Sequence, residues 1–180
     1  VKSKTLAEIA AWSFVAAHPD MQLTVINPGL VVGTPMDKHT GASLSFIARI
    51  MRGTDPAQPQ ISISLVDVKD VSALHVGALS RPQTIGNRYM ACGASWMFPQ
   101  VAKVISEAYP ARKVATRTAP RWLMKLIGLF DPVARGIIPS LGVDKQVENS
   151  ATCRDFDCTF TPAKEAILAA ALAVDTLAKA

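Results

Sequence analysis

The chain is an α/β protein by its pattern. Short β-branched runs alternate with longer apolar or amphipathic stretches, and Pro, Gly and Asp punctuate the changes. Three observations carry this reading. "LTVINPG", Leu23 to Gly29, is a continuous apolar run closed by Pro-Gly, the mark of an inner parallel strand. "ISISLV", residues 61–66, alternates apolar and polar with period two, which predicts a half-exposed strand. "NRYMACG", residues 87–93, is a further strand. A doubly wound sheet normally has more inner strands than this, so the sequence expects a fold short of strands.

The helices follow in order. Val1 to His18 is read as a helix ended by His18-Pro19-Asp20, with Leu6, Ile9, Ala10, Ser13 and Ala17 on one small or apolar face. Only Lys2, Lys4 and Glu8 are charged along it, so it is expected to be buried with protein on two sides. Gly41 to Arg52 is a second helix, followed by a loop with two prolines. Asp70 is expected to cap a helix from Val71 to Leu79, and Ser95 one that runs to about Ala108. Thr118 to Ile138 reads as broken helix, with Pro120 near its start and Pro132 inside it. Thr161-Pro162 is a strong start signal for a last helix that runs to the end.

With 180 residues the chain is long enough for one domain with a sizeable core. Hydrophobic residues are 49% and charged residues 18%, which suits a well-packed fold and argues against disorder. No apolar run reaches the roughly 18–20 residues of a membrane span. The net charge is +5. Its densest cluster, Arg112, Lys113, Arg117 and Arg121, comes without any nucleic-acid motif and reads as a solvated face. Cys92, Cys153 and Cys158 make an odd count with no secretory signal, so free thiols in the cytoplasm are expected. A zinc site needs about four ligands, and no such set is present, so no metal is expected.

"SKTLAEIAAW", "LTVINPGLVVG" and "LVDVKDVSALHVGAL" occur in that order, at spacings that resemble the extended short-chain dehydrogenases/reductases of the NAD-dependent epimerase/dehydratase superfamily. The nearest branch is that of dihydroflavonol reductase and cinnamoyl-CoA reductase. The resemblance covers residues 1–110, and the remainder more loosely. It implies the C-terminal part of a Rossmann-type doubly wound parallel sheet plus a mostly helical substrate-binding lobe. Residues 1–34 and 62–93 would belong to the dinucleotide-binding domain, and residues 35–61 and 94–180 to the lobe.

The family's active-site motif is Tyr-x-x-x-Lys. Lys4 matches its lysine, and the tyrosine would fall one position ahead of Val1. Residues four apart share a helix face. An ammonium beside a phenol of pKa ~10 favours the phenolate, which can then exchange a proton with a carbonyl or alcohol. By the same resemblance Lys4 would reach the nicotinamide ribose, and Pro28, Gly29, Leu30 and Val31 would hold the carboxamide through main-chain groups. The cofactor implied is NADP or NAD. Met36 and Trp96 would line an apolar substrate pocket, although core packing explains Trp96, and likewise Phe46, equally well. Asp67 is a further polar candidate, and His75 reads as a buried structural histidine. Asp37 and His39 read as loop residues.

The family's Gly-rich phosphate turn is not present, nor is the Ser/Thr that precedes the tyrosine. The implied function is therefore that of a parent protein: reduction of an aldehyde or ketone to an alcohol, or the reverse, on a small apolar or aromatic substrate. A sugar-nucleotide epimerase or dehydratase of the same fold is the alternative, with the Arg112–Arg121 cluster holding a diphosphate. A non-catalytic piece, useful for binding or assembly, is the third reading. The implied partners are the N-terminal half of the same protein and, through the first helix, a second copy in a homodimer.

Overall fold

A computed structural model describes residues 2–37 and 41–179; Val1 and His39 lie outside the described residues. The elements are α1 (Lys2–Ala16), β1 (Val25–Pro28), β2 (Leu30–Val32), α2 (Ala42–Arg52), β3 (Ser62–Asp67), α3 (Val68–Ala78), β4 (Arg88–Ala91), β5 (Ala94–Met97), α4 (Phe98–Ala108), α5 (Arg121–Ile127), α6 (Pro132–Ile137), α7 (Ser150–Phe156) and α8 (Ala163–Leu177). The alternation of strand and helix is that of an α/β fold with parallel pairing.

The strands form two small sheets. β1 pairs parallel with β4, Val25 opposite Arg88 through Pro28 opposite Ala91. β3 lies between β2, parallel, and β5, antiparallel. The chain passes from one sheet to the other at Gly29 and again at Gly93. There the Gly29 N–H donates to the Ala91 carbonyl (3.0 Å), and the Gly93 N–H to that of Leu65 (2.8 Å). A Cβ on Gly29 would stand 2.4 Å from the Ser64 carbonyl oxygen, so the β3 backbone crosses where only a bare α-carbon fits.

Several sequence expectations are corrected. β3 does not alternate in burial: Ser62, Ile63 and Ser64 are half-buried, while Leu65, Val66 and Asp67 are buried where α8 and α3 pack against the strand. Asp70 is not the cap of α3. That helix starts at Val68, and the Asp67 carboxylate accepts from the Lys69 N–H (2.8 Å). Asp70 instead accepts from the Thr161 N–H (2.8 Å) and hydroxyl (3.0 Å), which ties α3 to the start of α8. Thr161 is thereby used up, and α8 begins after Pro162 with no side-chain cap. Ser95 lies in β5, its hydroxyl 3.1 Å from that of Ser64. α4 begins after Met97, whose N–H donates to the Gln100 side chain (2.7 Å). His75 is exposed, with Nδ1 2.8 Å from the Val71 carbonyl oxygen.

The main core joins α2, α4 and α8 to β2 and β3, around Ile47, Val101, Ile105, Ile167 and Ala170. A second cluster, Leu74, Tyr89, Ala91 and Phe156, packs α3 and α7 on β4. A third, Ala119, Met124, Ala134 and Leu141, lies under α5 and α6. α1 buries no residue, against the expectation of a buried helix. Among the described residues Glu8 ties it to the β1–β4 pair, Leu6, Ile9 and Phe14 are each more than half exposed, and the His18 ring stacks on Phe14.

Candidate active site

Lys4 is exposed on the first turns of α1. One turn on, Glu8 fastens this helix to the sheet. Its carboxylate accepts from Arg88 Nε (3.0 Å) on β4, lies 3.5 Å from the Asn27 amide nitrogen on β1, and is 3.3 Å from Trp12 Nε1. Asn27 immediately precedes Pro28-Gly29. Lys4 and Glu8 share a helix face about one turn (~6 Å) apart. Pro28 closes the carboxyl end of β1, the end at which ligands of open α/β sheets bind.

From there the chain runs through Gly29, Leu30 and Val31 into β2. The Gly29 N–H is already committed to Ala91, and Leu30 and Val31 pair with Leu65 and Val66 of β3, so part of the main chain expected to hold a carboxamide is used within the sheets. A hollow of about 190 Å³ opens beside β2, lined by Val31 to Pro35, the start of α2 (Gly41, Ser43, Leu44) and Val68. Gly33 takes φ +116° there, and a Cβ on it would meet the Asp67 carboxylate at 3.0 Å. The buried Asp67 thus caps α3 and packs on the turn that ends β2.

The expected site residues are only partly brought together. Pro28, Gly29, Leu30 and Val31 run consecutively from the end of β1 into β2, and Lys4 lies on α1, one helical turn before the Glu8 that touches Asn27. Met36 follows on the same loop, fully exposed. Trp96 lies elsewhere: it pairs with Ile63 near the start of β3, whereas Val31 and Val32 pair with Val66 and Asp67 at its end. Its ring is half-buried against the main core, as is that of Phe46. Sequence reasoning missed Glu8 as the tether and Gly33 as the turn. The Lys4–Glu8 spacing of four was the available signal for the first.

The other titratable groups serve structure. Arg112 is ion-paired with Asp175, and Arg121 donates to the Leu141 carbonyl (3.0 Å), so half of the basic cluster is engaged within the chain. Tyr89 is buried and donates to Asp155 (2.9 Å); burial first, then that bond, pushes its phenol up. Burial and the neighbouring Cys153 push the Cys158 thiol up. Among the described residues no group of His, Cys, Asp and Glu is arranged to hold a metal ion, and no helix is long and apolar enough to cross a membrane.

The fold is that of Rossmann-type reductases. The structure superposes on yeast methylglyoxal/isovaleraldehyde reductase Gre2, a complex with NADPH, with TM-score 0.77 and 24% identity, covering 99% of this chain and 51% of that one. It superposes on vestitone reductase from alfalfa (Medicago sativa L.) with TM-score 0.71 and 17% identity, over 99% and 52%. In sequence it is 30% identical to anthocyanidin reductase of Vitis vinifera over 146 residues, 77% of this chain and 40% of that protein. It is 29% identical to cinnamoyl-CoA reductase 1 of Arabidopsis thaliana over 114 residues, 63% and 33%. No family model matches the chain. On these relatives the chain belongs to the extended short-chain dehydrogenase/reductase superfamily. It spans about half the length of the solved chains it matches, and less of the curated relatives.

Proposed function

We propose that these residues are the lysine-bearing, strand-end and helical-lobe portion of an NAD(P)-dependent carbonyl reductase. Its substrate would be a small apolar or aromatic aldehyde or ketone, interconverted with the alcohol. One observation supports the reading: Glu8 of α1 lies 3.5 Å from Asn27, the residue before Pro28-Gly29, so the lysine-bearing helix lies against the strand that carries the Pro-Gly pair. The activities named for the relatives support it, and NADPH, bound in the Gre2 complex, is the first choice of cofactor. When bound, the nicotinamide supplies or accepts the hydride. Lys4 would hold the ribose hydroxyls and favour the phenolate of a tyrosine four residues before it. The main chain of Gly29, Leu30 and Val31 would orient the carboxamide, and the Val31–Leu44 hollow, with Met36 at its rim, would receive the apolar substrate.

The tyrosine and the phosphate turn would come from polypeptide beyond these 180 residues. That polypeptide, or a second copy of the chain, would cover the open face of α1 and the free edge of β1. Residues 1–34 and 62–93 would then complete the dinucleotide domain, with 35–61 and 94–180 as the lobe. The epimerase reading draws less support, since Arg112 and Arg121 are engaged within the lobe.

Lys4→Met in the intact protein tests the proposal. NADPH oxidation with phenyl-bearing aldehydes should fall by about 10²–10⁴-fold. The kinetic pKa of the proton donor should rise toward ~10. An unchanged pH–rate profile would remove Lys4 from the mechanism. The 180 residues alone should show no turnover, and turnover at an ordinary enzyme's rate would defeat the need for an external tyrosine.

A further inference from the structure

The end of α7 brings two thiols together. Asp157 takes φ +49°, in the left-handed region. Its N–H donates to the Arg154 carbonyl (3.4 Å), and the Cys158 N–H reaches back to the Cys153 carbonyl (3.1 Å). This pair of bonds closes a helix end of the Schellman type, in which the residue after the left-handed turn folds back beside one in the last helical turn. Here those two residues are Cys158 and Cys153. Their side chains are neighbours across the turn, and Cys153 is one of the groups that push the Cys158 thiol up.

The turn is pinned on both sides. Before it, the Thr152 hydroxyl donates to the Met90 carbonyl (2.9 Å) and the Tyr89 hydroxyl to Asp155 (2.9 Å), and the Phe156 ring stands edge-on to that of Tyr89. After it, the Thr161 hydroxyl donates to Asp70 (3.0 Å). Anchored to β4 and to α3, the two cysteines stay close. Both are free and half-buried, so a small reagent can reach them. A hollow of about 240 Å³ opens beside Cys158, with Arg81 and Phe156 in its wall. Cys92 differs: it is buried, with Sγ 3.7 Å from the Ala94 carbonyl oxygen.

We propose that Cys153 and Cys158 form a redox-active dithiol, a modification site that closes to an intrachain disulfide on meeting a small-molecule disulfide such as glutathione disulfide. The folded chain already holds the thiols together, so closing the bond costs little further freedom. With the Cys158 thiol pushed up by burial and by its neighbour, Cys153 attacks first. The S–S bond of glutathione disulfide breaks, a bond from Cys153 to one glutathione forms, and the other glutathione leaves as the thiolate. Cys158 then gives up its proton and its sulfur attacks that of Cys153, so the mixed disulfide breaks and the second glutathione leaves. The dithiol loses two electrons and two protons, and glutathione disulfide takes them up as two molecules of glutathione. The new bond closes the end of α7, the helix that packs on β4. No residue of the Lys4–Val31 region enters, so the inference stands whether or not the reductase reading does.

The test equilibrates the full protein carrying these residues in glutathione buffers of rising glutathione disulfide content, blocks the remaining thiols with iodoacetamide and digests with trypsin. Trypsin cuts after Arg154, between the two cysteines, so the disulfide appears as residues 146–154 joined to residues 155–164. The joined peptides should form in the folded protein and separate when reduced glutathione is restored. In urea-unfolded protein they should need about tenfold more glutathione disulfide at the same glutathione concentration. Cys92→Ser should change nothing. Asp157→Val, a β-branched residue in the left-handed turn, should move the folded protein toward the unfolded value. The folded-against-unfolded comparison of the unsubstituted protein decides the case in which that variant does not fold. No joined peptides in any buffer, equal formation in folded and unfolded protein, or Cys92 joined to either cysteine as readily overturns the proposal.

Discussion

α1 and α8 are helices of equal length, 15 residues each, both rich in alanine and each with three charged residues. α8 buries Ala163, Ala166, Ile167, Ala170 and Ala171; α1 buries nothing. The difference lies in their neighbours. α8 runs against β2 and β3 and meets both α2 and α4, where its alanines let the helices pack closely. α1 meets the β1–β4 pair, held by Glu8, and its outer face is open among the described residues. Apolar content sets how much cover a helix calls for; the surrounding chain decides whether it is met.

The largest effect should come from the same truncation in both helices. Ile167 is fully buried and Ile9 is 55% exposed. Ile167→Ala should cost about 2–5 kcal/mol through lost burial and a residual cavity, and Ile9→Ala within about 0.5 kcal/mol. Urea unfolding of the two variants measures both. A large loss from Ile9→Ala would show that α1 is covered in the protein as isolated.

Gly29→Ala should come next, at about 1–3 kcal/mol, because its methyl group would collide with the Ser64 backbone, which cannot swing away. The same assay reads it, and a neutral result would mean that β3 can shift off the crossing.

Smaller again is a pH-dependent effect at the α7 end of the second cluster. Arg154 first, then Tyr89, holds the Asp155 carboxyl below its usual range. A depressed carboxyl stabilises the fold above its unfolded value of about 3.9, and the gain is lost as pH falls below that. Asp155→Asn should therefore lower Tm at neutral pH, with the difference from the unsubstituted protein closing below about pH 4. A difference independent of pH would mean that packing, and not charge, is at stake.

The smallest effect belongs to Glu8→Ala. Its main partner Arg88 is largely exposed, so global stability should fall by only about 0.2–1 kcal/mol. Amide exchange along α1 should nevertheless rise more than in α8. Equal exchange in the two helices would show that something other than Glu8 holds α1.

Local signals placed most elements well. The β-branched run at Leu23–Gly29, the 61–66 alternation and the 87–93 run all proved to be strands, and the Pro-broken 118–138 stretch proved to be two short helices. The failures were at caps and burial. Asp67 and Asp70 are both plausible caps three residues apart, and only the approach of Thr161, 91 positions downstream, decided which was free to cap. The β3 alternation suggested one wet face, but the serine 62 and 64 hydroxyls are half-buried and bond to the Asp144–Lys145 loop and to β5. At the site, the lysine and the Pro-Gly turn were legible as motifs. The Glu8 contact that ties α1 to β1 and β4 was not, because it joins three elements.

By itself the sequence determined the α/β class, the order of the elements and the residue types that mark the candidate site. These depend on periodicity and turn chemistry within a few residues. Tertiary structure alone decided that the strands divide into two sheets at Gly29 and Gly93, and that α8 is buried and α1 open. Each of these depends on which distant backbones approach one another, and no local pattern encodes that.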